Sequence, residues 1–145
     1  MADETEGIDT DWLLVFGAWF MALSGTLGSL FFSDVMGFAP CVLCWYQRIF
    51  LYPLVLVLGV GMLPFDPKVV RYALPLTVGG WLVALYHTLL YEGFIPESAS
   101  PCARGVSCSE EYIELLGFLS IPALSLLAFT AIGALLLVLR SRLKS

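Results

Sequence analysis

The chain has 145 residues, of which 59% are hydrophobic and only 13% charged, with a formal net charge of −5. So little polar surface cannot cover a soluble globule of this length, which excludes an ordinary water-soluble domain and makes a membrane protein the default. Four apolar runs are long enough to cross a bilayer, Trp12 to Phe32, Trp45 to Leu63, Val69 to Tyr91 and Leu115 to Leu139, and almost nothing is left for a separate soluble domain. The expectation is an all-α, polytopic four-helix membrane bundle, one domain over residues 1–145, with outward loops over 33–40 and 92–114.

In chain order, Met1 to Asp11 is acidic, with Asp3, Glu4, Glu6, Asp9 and Asp11 and no Lys or Arg. It lacks the basic start and short apolar core of a cleavable signal, so the run from Trp12 is expected to be a retained first span behind a solvated, frayed tail. Ala18, Ala22 and Ser29, with Gly25 and Gly28 nearby, put small side chains on a helix face, a pattern that suits close helix packing in lipid. The loop from Ser33 to Pro40 reaches at most roughly 26 Å, which keeps the next residue, Cys41, near the membrane surface.

Span two opens with Pro40-Cys41-Val42-Leu43-Cys44-Trp45-Tyr46-Gln47-Arg48. In a helix beginning near Cys41, residues three, four and seven apart share a face, so Cys41, Cys44 and Arg48 point the same way. The positive end of the helix dipole and the guanidinium both stabilise negative charge on sulfur, as redox exchange requires. An Arg within a span costs about 3 kcal/mol at the bilayer centre and less near the interface. Snorkelling to lipid phosphates would account for an isolated one. Beside two cysteines, an anion partner is the better reading, either a thiolate or a reduced cofactor. Pro53 is expected to kink this span.

The turn Pro64-Phe65-Asp66-Pro67-Lys68 makes spans two and three antiparallel neighbours. Lys68, Arg71, Arg140, Arg142 and Lys144 mark the turn and the C-terminus as cytoplasmic, and an even span count puts the N-terminus there too. Both cysteine pairs then face outward. Span three carries the single histidine, His87, on its outward half. A lone histidine is commonly a packing residue, but at about the depth of Arg48 it is also a cofactor contact by proximity, as are Gln47 and Trp45.

The second outward loop holds Cys102 and Cys108 among Gly and Pro residues, and the stretch from Tyr91 to Cys102 can extend about 35 Å, enough to bring Cys102 over the mouth of span two. Ser109 reads as the cap of a short surface helix over Glu110 to Gly117, and Pro122 as a bend at the entrance to the last span. Four cysteines allow three pairings. A structural disulfide would suit Cys102 with Cys108 but leaves Cys41, Cys44 and Arg48 unexplained. A four-cysteine zinc site usually has C-x2-C in both halves, and the wider second spacing and the oxidising side argue against it. A two-pair electron relay uses every feature.

Four spans, C-x2-C followed four residues later by Arg at the start of span two, and a second outward pair before span four resemble the DsbB family of disulfide-bond formation proteins, in its compact BdbC-type branch. The resemblance covers roughly residues 12 to 139. It implies a bacterial inner-membrane enzyme that uses ubiquinone or menaquinone to keep a thioredoxin-like, DsbA-like thiol oxidase oxidised, with no metal and no nucleic-acid partner. It further implies that the partner enters at Cys102, that Cys108 attacks Cys41, and that Cys44 is released beside the quinone, with Arg48 holding its charge. A non-catalytic tetraspan scaffold with structural disulfides is the alternative from another class.

Overall fold

A computed structural model describes residues 2–37, 42–94, 114–115 and 119–144, with side chains from Asp9 in the first segment and from Pro122 in the last. Four helices account for nearly all of it: α1 (Ala2–Leu30), α2 (Val42–Met62), α3 (Val69–Tyr91) and α4 (Ile121–Lys144). At 1.5 Å per residue, the 21 residues of α2 run about 31 Å, the thickness of a bilayer's hydrocarbon core. All four helices are long and apolar enough to span it.

Each helix packs on its chain neighbours, and α1 also packs on α4, which closes an up-down-up-down bundle. Val15, Ala18, Ala22, Leu54, Leu58, Ile132, Leu136 and Leu139 fill the axis. Leu13, Phe20, Leu56, Val60, Leu82, Leu127 and Leu137 are exposed on the outside. A belt of large apolar side chains on every helix is untenable in water and is what lipid tails require.

Small residues set the spacing between α3 and its neighbours. A Cβ on Gly80 would overlap the ring of Phe129 in α4, and one on Gly79 would stand 2.5 Å from Phe50 in α2. Gly80→Ala therefore forces α3 from α4 or Phe129 from its rotamer, and we expect a loss of about 1–3 kcal/mol, read as a lower midpoint of thermal unfolding in detergent. An inter-helix hydrogen bond, Trp81 Nε1–H to Thr130 Oγ1 at 2.9 Å, ties the same two helices half-way along.

Three segments differ from the sequence expectation. The acidic tail is helical from Ala2 and continuous with the first span, because carboxylates in a first turn complement the helix dipole and an existing helix needs no new nucleus. At the end of the bundle where α1 begins and α4 ends, Asp11 accepts a 2.7 Å hydrogen bond from Arg142 of α4. The segment read as a loop from Ser33 instead continues α1 through a π turn, Phe31–Val35, closed by Met36 N–H to the Phe31 carbonyl at 3.1 Å.

The third difference concerns the surface helix expected over Glu110 to Gly117. Glu114 and Leu115 are extended, not helical, and pair antiparallel with Leu119 and Ser120. Three residues separate the strands, one of them Gly117, and a glycine there favours reversal of the chain over helix continuation. The fourth span accordingly starts at Ile121, later than Leu115, with Pro122 in its first turn, where a missing N–H costs nothing. Residues 110–113 and 116–118 lie outside the described residues, as does the Ser109 cap.

Candidate functional site at the mouth of the second helix

Helix α2 enters the bundle with its polar residues on the inward side, an arrangement that apolar surroundings tolerate only if each finds a partner. Arg48 is 8% exposed and Gln47 7%, so neither snorkels to the surface. The Arg48 guanidinium instead clasps α1: Nε–H donates to Ser29 Oγ at 2.7 Å and Nη2 donates to the Ser29 carbonyl at 2.9 Å. The indole of Trp45, one turn back on the same helix, lies 5.1 Å from Cζ and covers the cation from outside. Trp45 is itself half exposed, so it lids Arg48 rather than lining the interior.

Two of the five guanidinium N–H groups are used by Ser29, and among the described residues the remaining three have no acceptor. A rigid planar fork held on one edge and open on the other is a ready partner for an anionic or carbonyl oxygen.

On the side of α2 that faces α3, Gln47 Nε2 lies 3.1 Å from His87 Nδ1, and the imidazole is 3% exposed. With the amide donating, Nδ1 is the acceptor and the ring proton sits on Nε2. The bond fixes His87 at the depth of Gln47, hence beside Arg48. Above them, Leu43 and Leu90 form a small apolar cluster with Val42, Cys44, Val83 and Tyr86. Cys44 is half-buried in this cluster, one helical turn outward from Arg48 and on the same helix face.

The bundle thus gathers Cys44, Trp45, Gln47, Arg48 and His87 at one end. Cys41, Cys102 and Cys108 lie outside the described residues. Ser29, which holds Arg48, is a site residue that the sequence reading assigned only to packing. Its sole signal is position, since it lies on the Ala18–Ala22 face near the C-terminal end of α1, level with the N-terminal end of α2 once those helices run antiparallel.

Fold and site define a class: a four-helix membrane protein with a buried cation, a buried imidazole and a half-buried thiol at one helix mouth. Residues 9–139 match the family described as Disulfide bond formation protein DsbB. The chain is 49% identical over 132 residues to a probable disulfide formation protein of Metapseudomonas resinovorans, covering 90% of this chain and 92% of the relative. Identity is 46% to probable disulfide formation protein C 2 of Bacillus cereus (83% and 86% covered) and 43% to disulfide bond formation protein C of Bacillus subtilis (83% and 87%). No solved structure matches. The chain belongs to the DsbB family.

Proposed function

We propose that this protein is a membrane thiol:quinone oxidoreductase that reoxidises a thioredoxin-like thiol oxidase outside the cytoplasm. Family membership supports the coarser statement, disulfide bond formation by a multi-pass bacterial membrane protein. The observation that carries the finer one is Arg48, anchored to Ser29, buried beside Cys44 and left with unused donors.

The donor set fits a quinone. Leu43, Val83, Tyr86 and Leu90 offer an apolar wall for a ring, while the open edge of Arg48 is a donor suited to a carbonyl oxygen, which only accepts. A quinone bound there supplies a two-electron, two-proton acceptor, so that partner dithiol plus quinone gives partner disulfide plus quinol. The residues of the chain do the rest. A partner thiolate attacks Cys102 Sγ and displaces Cys108 as thiolate, and Cys108 attacks Cys41 Sγ and releases Cys44 as thiolate. Arg48 holds that negative charge in an apolar surrounding where it would otherwise be costly. The partner's second thiol then resolves the mixed disulfide and frees Cys102. Attack of Cys102 on Cys108 restores the outer pair and leaves Cys41 and Cys44 as the reduced pair.

The charge pattern supports cytoplasmic termini, with Lys68, Arg71, Arg140, Arg142 and Lys144 at the end of the bundle opposite Cys44. The test is capture. A Cys108→Ser variant in its native membrane should accumulate a mixed disulfide through Cys102 with an extracytoplasmic thioredoxin-like protein, seen as a reducible adduct on a non-reducing gel and identified by mass spectrometry. Capture through Cys108 in Cys102→Ser, and not through Cys102, would reverse the two roles. No adduct in either variant would remove the relay.

A further inference from the structure

At the end of the bundle away from Cys44, the seam between α3 and α4 carries cations that the protein itself does not neutralise. Three contacts fix how these two helices lie against each other: Trp81 with Thr130, Gly80 with Phe129, and Thr77 with Gly133. Counting on along the antiparallel pair sets Arg71, early in α3, level with Arg140, late in α4. Both side chains are exposed. Arg140 lies seven residues beyond Gly133 and Lys144 four beyond that, so both stand on the face of α4 that meets α3. Arg142 is paired with Asp11, but among the described residues Arg71, Arg140 and Lys144 have no carboxylate partner. Asp66, close to Arg71 in the chain, accepts the backbone N–H of Lys68 instead.

Two apolar tracks lead from these charges into the bilayer. On α3, Arg71, Leu74, Val78 and Trp81 follow at intervals of three and four, and on α4 Ser141, Leu137, Ala134 and Thr130 do the same. The tracks meet at the exposed hydrogen bond from Trp81 to Thr130, so both flank the lipid side of one seam. Val78 is 52% exposed and Leu137 56%. From Arg71 to Trp81 the axis advances about 15 Å, half the hydrocarbon core and so the depth of one leaflet. Helix stability does not account for Arg71, which stands in the first turn of α3, where the dipole disfavours a cation and no acidic residue offsets it. Orientation in the membrane asks for cations at one end of the bundle, but not on one seam.

We propose that the α3–α4 seam binds an acidic glycerophospholipid, with its phosphate held by Arg71 and Arg140 and one acyl chain laid along Leu74, Val78, Ala134 and Leu137 as far as the Trp81–Thr130 bond. Guanidinium groups suit the task, because their planar forks match phosphate oxygens and their weak hydration lets them pair at the edge of the apolar layer. A zwitterionic headgroup would add its own cation to those already there. Bound in this way, the lipid bridges two helices that otherwise meet through Gly80 and the Trp81–Thr130 bond. The site lies at the opposite end of the bundle from Cys44 and is independent of the quinone reading.

The test uses the full-length protein, stripped of lipid in a neutral detergent, with dioleoylphosphatidylglycerol, dioleoylphosphatidylcholine and inorganic phosphate as probes. Phosphatidylglycerol should raise the unfolding midpoint about 2–4 °C more than phosphatidylcholine does, and phosphate alone should leave it unchanged. Arg71→Gln and Arg140→Gln should each remove most of that difference, while their lipid-free midpoints stay within about 2 °C of wild type because both side chains are exposed. Arg142→Gln takes the same charge from the side of α4 that meets α1, and should keep the difference. Equal rises with the two lipids would overturn the proposal, since the headgroup would then count for nothing. So would a rise with phosphate as large as with phosphatidylglycerol, which marks a free-anion site, or a loss in Arg142→Gln as large as in Arg71→Gln, which marks diffuse surface charge.

Discussion

Cys44→Ser is expected to abolish quinone-dependent oxidation of a reduced thioredoxin-like dithiol, leaving only the uncatalysed background. A hydroxyl cannot form a disulfide or deliver electrons, and in the proposed relay every electron pair leaves the sulfur chain at this atom. The fold should survive the change. Cys44 is half-buried beside Leu43 and Leu90 rather than at the bundle axis, and serine is slightly smaller, so the stability change stays within about 1 kcal/mol. Stopped-flow loss of quinone absorbance on mixing with reduced partner measures the first effect, and the thermal midpoint measures the second. An intact fold with full turnover would place the protein among non-catalytic scaffolds.

Cys44 also illustrates what could be read in advance. The spacing of Cys44 and Arg48 puts both on one face wherever a helix starts near residue 41, and helix α2 begins at Val42. The depth of His87 followed from counting back from Tyr91, and the bond to Gln47 matches it. Ser29 was not legible, because a small residue on a packing face looks the same whether it meets a methyl group or a guanidinium. Only the register between two helices separates these cases, and register is a tertiary property.

Two of the three misread segments share a cause. Solvation of the acids before Trp12 was weighed without the helix that follows, whose dipole and ready nucleus carry the chain into helix from Ala2. Glu110 to Gly117 was read by its amphipathic period, and Gly117 competes with that period. Pairing of Glu114–Leu115 with Leu119–Ser120 decides the contest for the described part. In both places a neighbour along the chain, not local composition, set the outcome.

Arg48→Met is expected to slow quinone-dependent turnover about ten- to a hundred-fold. A charge-assisted hydrogen bond is worth about 1.5–3 kcal/mol, or roughly that factor in rate if it is made to the charge that develops in the reaction. Methionine keeps the bulk of the side chain under Trp45 but removes the donors to Ser29 Oγ and its carbonyl, which adds a stability loss of about 1–3 kcal/mol visible without quinone. Arg48→Lys retains the charge but cannot hold Ser29 along one edge and present a second edge to a ligand, so it should recover only part of the rate. Ser29→Ala then isolates the anchor. Arg48 keeps its bond to the carbonyl and loses the one to Oγ, so the guanidinium is less well aimed, and KM for quinone should rise several-fold with kcat nearly unchanged. If Ser29→Ala instead lowered the thermal midpoint with no change in KM, the clasp would serve only to join α1 to α2, and the unused edge of Arg48 would have no claim on a ligand.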